Sequence, residues 1–366
     1  MKVVCMKDKL LEGINVVQKA VSAKTTLQIL EGILVEAGER FKLTGNDLEM
    51  GIEAFIDADI RVEGSIVINS KMFGSIVRQL PDSEVFIEVK DNSLVVIECE
   101  NSRFEIKGLP PKGFPALPAV KNENVFEVAQ KTIKDMIRQT AFAVSVDENR
   151  PTLTGALVEC KEGELTFVAI DGFRLALRKS KVEQKDIELK AIVPGKTLNE
   201  IGKILTGQDK VSICIDKNQI SFKFPTCKVV SRLLEGEYLN YRSIIPKDRE
   251  TYIRLNTKEL LSSIERASLI CGMDDRKNPV VFNIQEQKLV ITSNTETGAV
   301  REEVTIEMEG QQLEIGFNPR YFIDALKAVE DDIIDIHFTS NVGPCTIYPV
   351  DEEYYTYLIL PVRPRG

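Results

Sequence analysis

Histidine occurs once in 366 residues, at His337 inside the alternating run IDIHF. With a single imidazole the usual nucleophile–base constellations cannot be assembled, and only lysine- or carboxylate-based chemistry stays open. A strand position facing solvent or neighbours suits His337 better than catalysis. The seven cysteines (5, 99, 160, 214, 227, 271, 345) contain no C-x-x-C pair. Scattered and odd in number, they fit free thiols in a reducing cytosol and argue against a disulfide framework or a zinc site. No apolar run is long enough to span a bilayer. The N-terminus, MKVVCMKDKLLEG, has charges where a signal peptide needs its apolar core, so a cytoplasmic location is expected. Positive charge is also in deficit: 47 Lys and Arg face 56 Asp and Glu, a net of −9. At first sight that disfavours nucleic acid. The residues 194–197, PGKT, resemble the end of a phosphate-binding loop, but Lys190 stands where the motif needs glycine. Asp331, Asp332 and Asp335 read as a solvated helix-to-strand turn without the partners of a metal site. No cofactor and no metal is the expectation.

What the chain does contain is a long period. Asp47, Asp171 and Asn294 punctuate similar apolar runs and lie 124 and 123 residues apart. Lys71, Lys196 and Arg320 each open a helical pattern and lie 125 and 124 residues apart. Two landmark sets with one period predict a domain built three times. Proline-rich or aperiodic stretches at 108–120 and 238–250 read as linkers, which places domains at 1–122, 123–249 and 250–366. A second helical pattern opens each third, at 7–21, 131–144 and 257–269. Six helices thus alternate with six groups of strands of period two, as in VFIEV, VSICI and QISFKF. An α+β fold with helices on one face of antiparallel sheets accommodates this order.

The charge is unevenly placed. In 131–144, Ile133, Met136, Ile137 and Val144 form one stripe, and Lys131, Lys134 and Arg138 the opposite one. The pairs Lys71/Arg78, Lys196/Lys203 and Arg320/Lys327 repeat that basic stripe at i, i+7. The first and fifth helices are weaker, with Lys9, Lys19, Lys258 and Arg266 among glutamates. The six helical stretches sum to +6, leaving −15 on the rest. A basic surface on an acidic body suits a polyanion held in one place and repelled elsewhere.

With these features in place, the chain resembles the bacterial DNA polymerase III beta subunits, the replicative sliding clamps. The resemblance runs over all 366 residues and rests on LTGNDLEM (43–50), SRFEIKGLP with GFP (102–115), FVAIDGFRLAL (167–177), AIVPGKTL (191–198), LLEGEYLNYRSIIP (233–246), EIGFNPRY (314–321) and YLILPVR (357–363). It implies three repeated clamp domains, each with two helices packed on antiparallel sheets, in a head-to-tail dimeric ring. Such a ring encircles duplex DNA without reading its sequence and tethers the replicative polymerase. An acidic three-domain scaffold that never encircles DNA is the alternative; it has no use for the basic stripes. A nucleotide-processing enzyme is disfavoured by the missing metal or nucleophile set.

The resemblance also assigns residues. Lys24 and Lys196 match DNA-contact positions, Lys24 where arginine is frequent. With the helix stripes, the candidate DNA contacts are Lys24, Lys71, Arg78, Lys131, Lys134, Arg138, Arg150, Lys196 and Lys203. A peptide pocket for the polymerase alpha subunit, the clamp loader, other polymerases and repair proteins would have a floor of Leu153, Ile170, Gly172, Phe173, Arg174, Leu175, Leu239, Ser243 and Ile244. Its second wall would be Asn318, Tyr321, Val342 and the tail Leu358, Ile359, Leu360, Pro361, Val362 and Arg363. Deletion of 358–366 is the implied test of that pocket. Leu239 and Asn240 replace a common Pro-Asp, and Phe173 stands where histidine or tyrosine is frequent. The dimer contact would place Arg103, Phe104 and Ile106 against Leu269, Ile270, Glu302 and Glu303 of a second copy.

Overall fold

The computed structural model describes residues 1–22, 25–120, 125–271, 279–296, 298–351 and 353–362. Six helices recur, each directly after a strand: α1 (Lys7–Val17), α2 (Ser70–Gln79), α3 (Gln130–Thr140), α4 (Gly195–Ile204), α5 (Thr257–Cys271) and α6 (Pro319–Ala328). Asparagines start three of them. The Asn69 side chain accepts from the Met72 amide, Asn318 from Arg320, and Asn256 from Lys258 and Glu259. These bonds satisfy amides that a helix start leaves without partners. Pro319 at the first position of α6 supplies a preset φ and has no N–H to lose.

The amphipathic stripes define which face packs. Ile133, Met136 and Ile137 of α3 are buried, whereas Lys131, Lys134 and Arg138 are exposed. Phe73 and Val77 of α2 are buried opposite Lys71 and Arg78. Two helices end earlier than their apolar pattern. α1 gives way to a 3-10 turn at Gln18–Ala20, and α3 to one at Ala141–Ala143, so Val144 lies past the helix. In α3 the Thr140 hydroxyl bonds back to the Met136 carbonyl, an alternative to continued α-helical pairing.

Four antiparallel sheets carry these helices, in two compact units. One unit comprises Met1–Gln130 and Lys203–Leu233. It holds a five-stranded sheet whose far edge is Ser102–Lys107, and an eight-stranded sheet. In the latter, Cys227–Arg232 pairs with Met50–Ile56 in the register Val230↔Gly51. The other unit comprises Lys131–Gly202 and Leu234–Gly366. It holds a four-stranded sheet with Gly298–Thr305 at one edge, and a nine-stranded sheet. There Arg174–Lys181 pairs with Tyr355–Ile359 in the register Leu175↔Leu358. Each large sheet therefore joins strands from two successive thirds of the sequence.

The Asp-centred turns of the first two thirds are built alike. Asp47 Oδ1 accepts the amides of Glu49 and Met50, as Asp171 Oδ1 accepts those of Phe173 and Arg174. Asn294 instead sits within the strand Lys288–Thr295. Asp335 departs from the solvated turn expected of it. It is buried in the strand Ile333–Phe338, where Arg254 grips both carboxylate oxygens at 2.8 and 3.0 Å and the Tyr252 hydroxyl donates at 3.1 Å. The stretch lies between α6 and a strand, but its third aspartate is already inside the ladder and faces a cation across the sheet.

Candidate functional site

Alternation along Arg174–Lys181 and Tyr355–Ile359 sends side chains to two faces. On one face, Leu175, Leu177 and Leu358 join Leu153, Ile170 and Tyr241 in a single buried cluster. On the other, Arg174 reaches toward α6 and the end of α3. Its Nε donates to Asp171 at 2.9 Å, Nη1 to Asp324 at 2.6 Å and Nη2 to the Phe142 carbonyl at 2.7 Å. The guanidinium also lies 4.8 Å from the centre of the Tyr321 ring, a cation–π distance. Phe173 stacks beside Tyr321, with centroids 6.2 Å apart and planes at 19°. The turn before it needs glycine: Gly172 has φ +94°, and a Cβ there would approach Arg150 Nη1 to 3.2 Å.

The chain's last described residues complete a groove. The Leu360 amide donates to the Phe173 carbonyl at 2.9 Å, and the Val362 amide to the Gly316 carbonyl at 2.8 Å. Between them, Leu360, Pro361 and Val362 border a cavity of about 260 Å³ with Val281, Ile315 and Val342. Phe173, Leu239, Ile244, Val342 and Leu360 are all exposed apolar side chains in this one unit. Of these, Val342 and Leu360 line the cavity and Phe173 is bonded to Leu360; exposed apolar groups at a cavity mark a binding surface rather than a solvated face. Ser243 donates to the Asn240 carbonyl at 2.7 Å and fixes the turn that presents Leu239 and Ile244. Asn318 caps α6 and thereby sets Tyr321.

The structure divides the sequence-predicted pocket residues into two layers. Leu153, Ile170, Leu175, Leu358 and Ile359 are at most 4% exposed and form the foundation. Deletion of 358–366 would therefore cut into a central strand of the nine-stranded sheet rather than test the groove alone. Arg363 and Lys24 lie outside the described residues. Sequence reading missed Asp324 and Phe142, the partners of Arg174. The spacing Tyr321–Asp324, one helical turn on α6, is the signal that could have found the first; the second offers only a backbone carbonyl.

The basic candidates differ in their surroundings. Lys71, Lys131 and Lys134 are exposed. Arg78 donates to Asn15 Oδ1 at 3.4 Å. Arg138 is tethered, donating to the Ala328 carbonyl at 3.0 Å and pairing with Glu330. Arg150 is exposed, 3.9 Å from Asp147 and beside the Gly172 turn. Lys196 and Lys203 are exposed on α4.

Two sheet edges, and the end of α5 beside the second, carry the remaining candidates. On Ser102–Lys107, Phe104 pairs with Ile97 and Ile106 with Val95, so both extend a buried apolar layer to an open edge. On the opposite face Arg103 bonds Glu105 at 2.8 Å and also pairs with Glu98. On the other edge, Arg266 donates to Glu302 at 3.0 Å, and Glu303 takes Lys288 at 3.3 Å. Hydrogen bonding to Arg266 holds Glu302 below the usual carboxylate range, and Arg301 does the same for Glu303. Leu269 beside them is 79% exposed, and Ile270 lies near Gly298. Open edges ending in apolar residues invite a partner.

Among the described residues no group of three His, Cys, Asp or Glu could hold a metal ion. Burial raises the Cys5 and Cys227 thiols to about 12, far from the range of a nucleophile. His337 contacts Arg249 at 2.8 Å and is pushed down to about 4, first by burial and then by that cation. No helix among the described residues is long and apolar enough to cross a membrane.

Comparison with known proteins matches three family models in tandem. They describe the N-terminal domain of the DNA polymerase III beta subunit at 1–118, its central domain at 127–240 and its C-terminal domain at 242–363. The beta sliding clamp of Halalkalibacterium halodurans is 40% identical over 374 residues, covering 98% of both chains. The crystal structure of the DNA polymerase sliding clamp from Bacillus subtilis superposes with a TM-score of 0.96 at 38% identity, covering 100% of each chain. The DNA polymerase III beta subunit of Thermotoga maritima gives 0.93 at 28% identity, again over 100% of each.

Proposed function

Because the chain belongs to the family of bacterial DNA polymerase III beta subunits, the beta sliding clamps, we propose that two copies close head to tail around duplex DNA and hold a polymerase to its template. The family is a non-catalytic processivity factor of DNA replication. Three clamp domains, at 1–122, 123–249 and 250–366, make up each copy.

The observation that carries this reading is the pair of dissimilar open edges. One offers Phe104 and Ile106 with Arg103; the other offers Leu269 and Ile270 with Glu302 and Glu303. Unlike edges suit a heterologous, head-to-tail contact, and such a contact closes when two copies complete a ring. The basic helix faces then meet phosphates. Lys71, Arg78, Lys131, Lys134, Arg138, Arg150, Lys196 and Lys203, with Lys24, supply sequence-independent contacts that salt weakens. Loose contacts suffice, because a closed ring is retained by topology, and interchangeable lysines leave it free to slide.

The groove serves partners. Its exposed apolar side chains and adjoining cavity suit an extended peptide with apolar anchors, from the polymerase alpha subunit, the clamp loader, other polymerases or repair proteins. Phe173, Tyr321, Val342 and Leu360 form its rim, and Arg363 belongs to the same tail.

Two experiments test these assignments. Clamps loaded by a clamp loader and ATP onto nicked circular DNA should survive a high-salt wash and be lost once the circle is linearised. Equal loss from both forms would refute encirclement. Truncation after Ile359 keeps the strand Tyr355–Ile359 but removes the bonds of Leu360 to Phe173 and of Val362 to Gly316. Polymerase-peptide affinity measured by fluorescence polarisation should fall by about tenfold or more, with the dimer unchanged by ultracentrifugation. Retained affinity would disprove the groove.

A further inference from the structure

The stretch 238–245 belongs to no strand, yet it carries Leu239 and Ile244, two of the exposed apolar side chains assigned to the groove. Its own backbone bonds are short-range. The Ser243 amide donates to the Asn240 carbonyl at 3.1 Å, and the Ile244 amide to the Tyr241 carbonyl at 3.1 Å. Two buried tyrosines join the stretch to the nine-stranded sheet. The Tyr238 hydroxyl donates to the Val168 carbonyl at 3.2 Å. The Tyr241 ring packs in the same cluster as Leu153, Ile170, Leu175 and Leu358, the foundation of the groove.

The hydroxyl of Tyr241 ends on a carboxylate. Glu159 Oε2 accepts it at 2.9 Å and accepts Arg242 Nη2 at 3.0 Å. Lys190, the direct cross-strand neighbour of Glu159, lies 3.7 Å from Oε1. The Arg242 guanidinium lies back over the Tyr241 ring, 4.5 Å from its centre. One side chain, 14% exposed and set in the strand Gly155–Lys161, thus fixes two consecutive residues of the stretch. Taking a carboxylate largely out of water costs free energy that its partners return only in part, and an apolar residue of similar volume often stabilises as well. What an apolar residue cannot supply is a directed bond to a hydroxyl and a guanidinium at once.

The threefold period provides an internal control. Glu36, Glu159 and Asn283 lie 123 and 124 residues apart and stand opposite Lys42, Thr166 and Val290, which are 124 apart in turn. In the first copy Leu117, 124 residues before Tyr241, has no hydroxyl and packs over Gly51, and Glu36 turns to Lys42 at 2.9 Å. In the third copy Asn283 donates to Glu314 at 3.2 Å. The tyrosine–glutamate anchor therefore occurs in the copy whose turn bears Phe173. The first copy, which has Glu49 at that place in its turn, lacks it.

We propose that Glu159 is a positioning residue for peptide capture: through Tyr241 and Arg242 it holds the stretch 238–245 so that Leu239 and Ile244 are set for the incoming peptide. This rests on the reading of the groove as a peptide site. Glu159 itself touches no peptide. It orders the stretch before binding, so less conformational freedom is lost when the peptide docks. Tyr238 is bonded to backbone and stays in place without it, so release of Glu159 loosens the stretch without unfolding the sheet beneath.

Overlapping labelled peptides spanning the polymerase alpha subunit are screened on the full chain by fluorescence polarisation, and the tightest binder serves as the probe. The double variant Glu159→Leu/Tyr241→Phe removes both bonding partners and should melt with the wild type, yet bind the probe about tenfold more weakly. Glu159→Gln keeps an oxygen for the Tyr241 hydroxyl and should stay within about twofold of the wild type. In a Leu239→Ala/Ile244→Ala background the same double substitution should cost less than about twofold, because the side chains it positions are gone. Wild-type affinity in Glu159→Leu/Tyr241→Phe overturns the proposal. So does the full loss persisting in the alanine background, or Glu159→Gln binding as weakly as the double variant. A marked fall in the melting temperature of the double variant would make the anchor structural and would also overturn it. If no peptide binds the wild type, the groove reading itself fails and takes this role with it.

Discussion

Replacement of Arg174 by alanine is expected to lower stability by about 3 kcal/mol and to eliminate capture of groove peptides. The side chain is 11% exposed and joins three elements at once: its own turn through Asp171, α6 through Asp324, and the end of α3 through the Phe142 carbonyl. Removing it leaves the Asp171 carboxylate, itself 14% exposed, without its cation in a site that water enters poorly. Asp324 is a third exposed and loses less, because solvent screens it. Binding suffers through position. Without the guanidinium over its ring, Tyr321 is free to leave Phe173, and the aromatic rim opens. Urea denaturation and fluorescence polarisation report the two effects separately. Arg174→Lys should recover part of the stability but little of the binding, since an ammonium cannot satisfy three divergent acceptors. Wild-type stability and affinity in Arg174→Ala would show that the rim is held by something else.

Phe104→Asp is expected to weaken the dimer by about a hundredfold while leaving a folded subunit. Phe104 is 36% exposed at the end of an apolar layer that continues inward to Ile97 and Val95. In the assembled ring that layer would run on into the partner, so a carboxylate there meets apolar surface and Glu302 or Glu303 together. Within the subunit the same carboxylate reaches water at the edge and its effect on folding is small. Sedimentation should show mostly single subunits at micromolar concentration, with retention on circular DNA lost in parallel. Leu269→Asp, on the opposite edge, should reproduce both results. A dimer unaffected by either substitution would place the interface elsewhere.

Local sequence revealed what local physics determines. The Asp47 and Asp171 turns are legible because one carboxylate oxygen accepting two amides is a short-range device, and their matching geometry makes the period structural as well as numerical. The helix stripes are legible for the same reason, although Thr140 ends α3 before the apolar pattern does. What stayed hidden is non-local. Nothing in IDIHF announces that Asp335 will meet Arg254, some eighty residues away across a sheet. Nothing on α3 announces that Arg138 will reach the end of α6, which ties one supposed DNA contact to protein. Among the pocket candidates that the resemblance implied, sequence could not separate the exposed Phe173 and Leu360 from the buried Leu175 and Leu358. That division follows from strand alternation and register.

The pairing of Cys227–Arg232 with Met50–Ile56 also bears on how the chain emerges from a ribosome. When the first third is complete, Met50–Ile56 has its hairpin partner Phe41–Asn46 on one side and nothing on the other. It stays an unpaired edge until residues more than a hundred and seventy positions later have been made. At ordinary synthesis rates that interval is on the order of ten seconds or more. Arg174–Lys181 waits about as long for Tyr355–Ile359. The first two repeats of the sequence are therefore born incomplete, and a nascent or truncated chain would display a strand that invites aggregation or a chaperone.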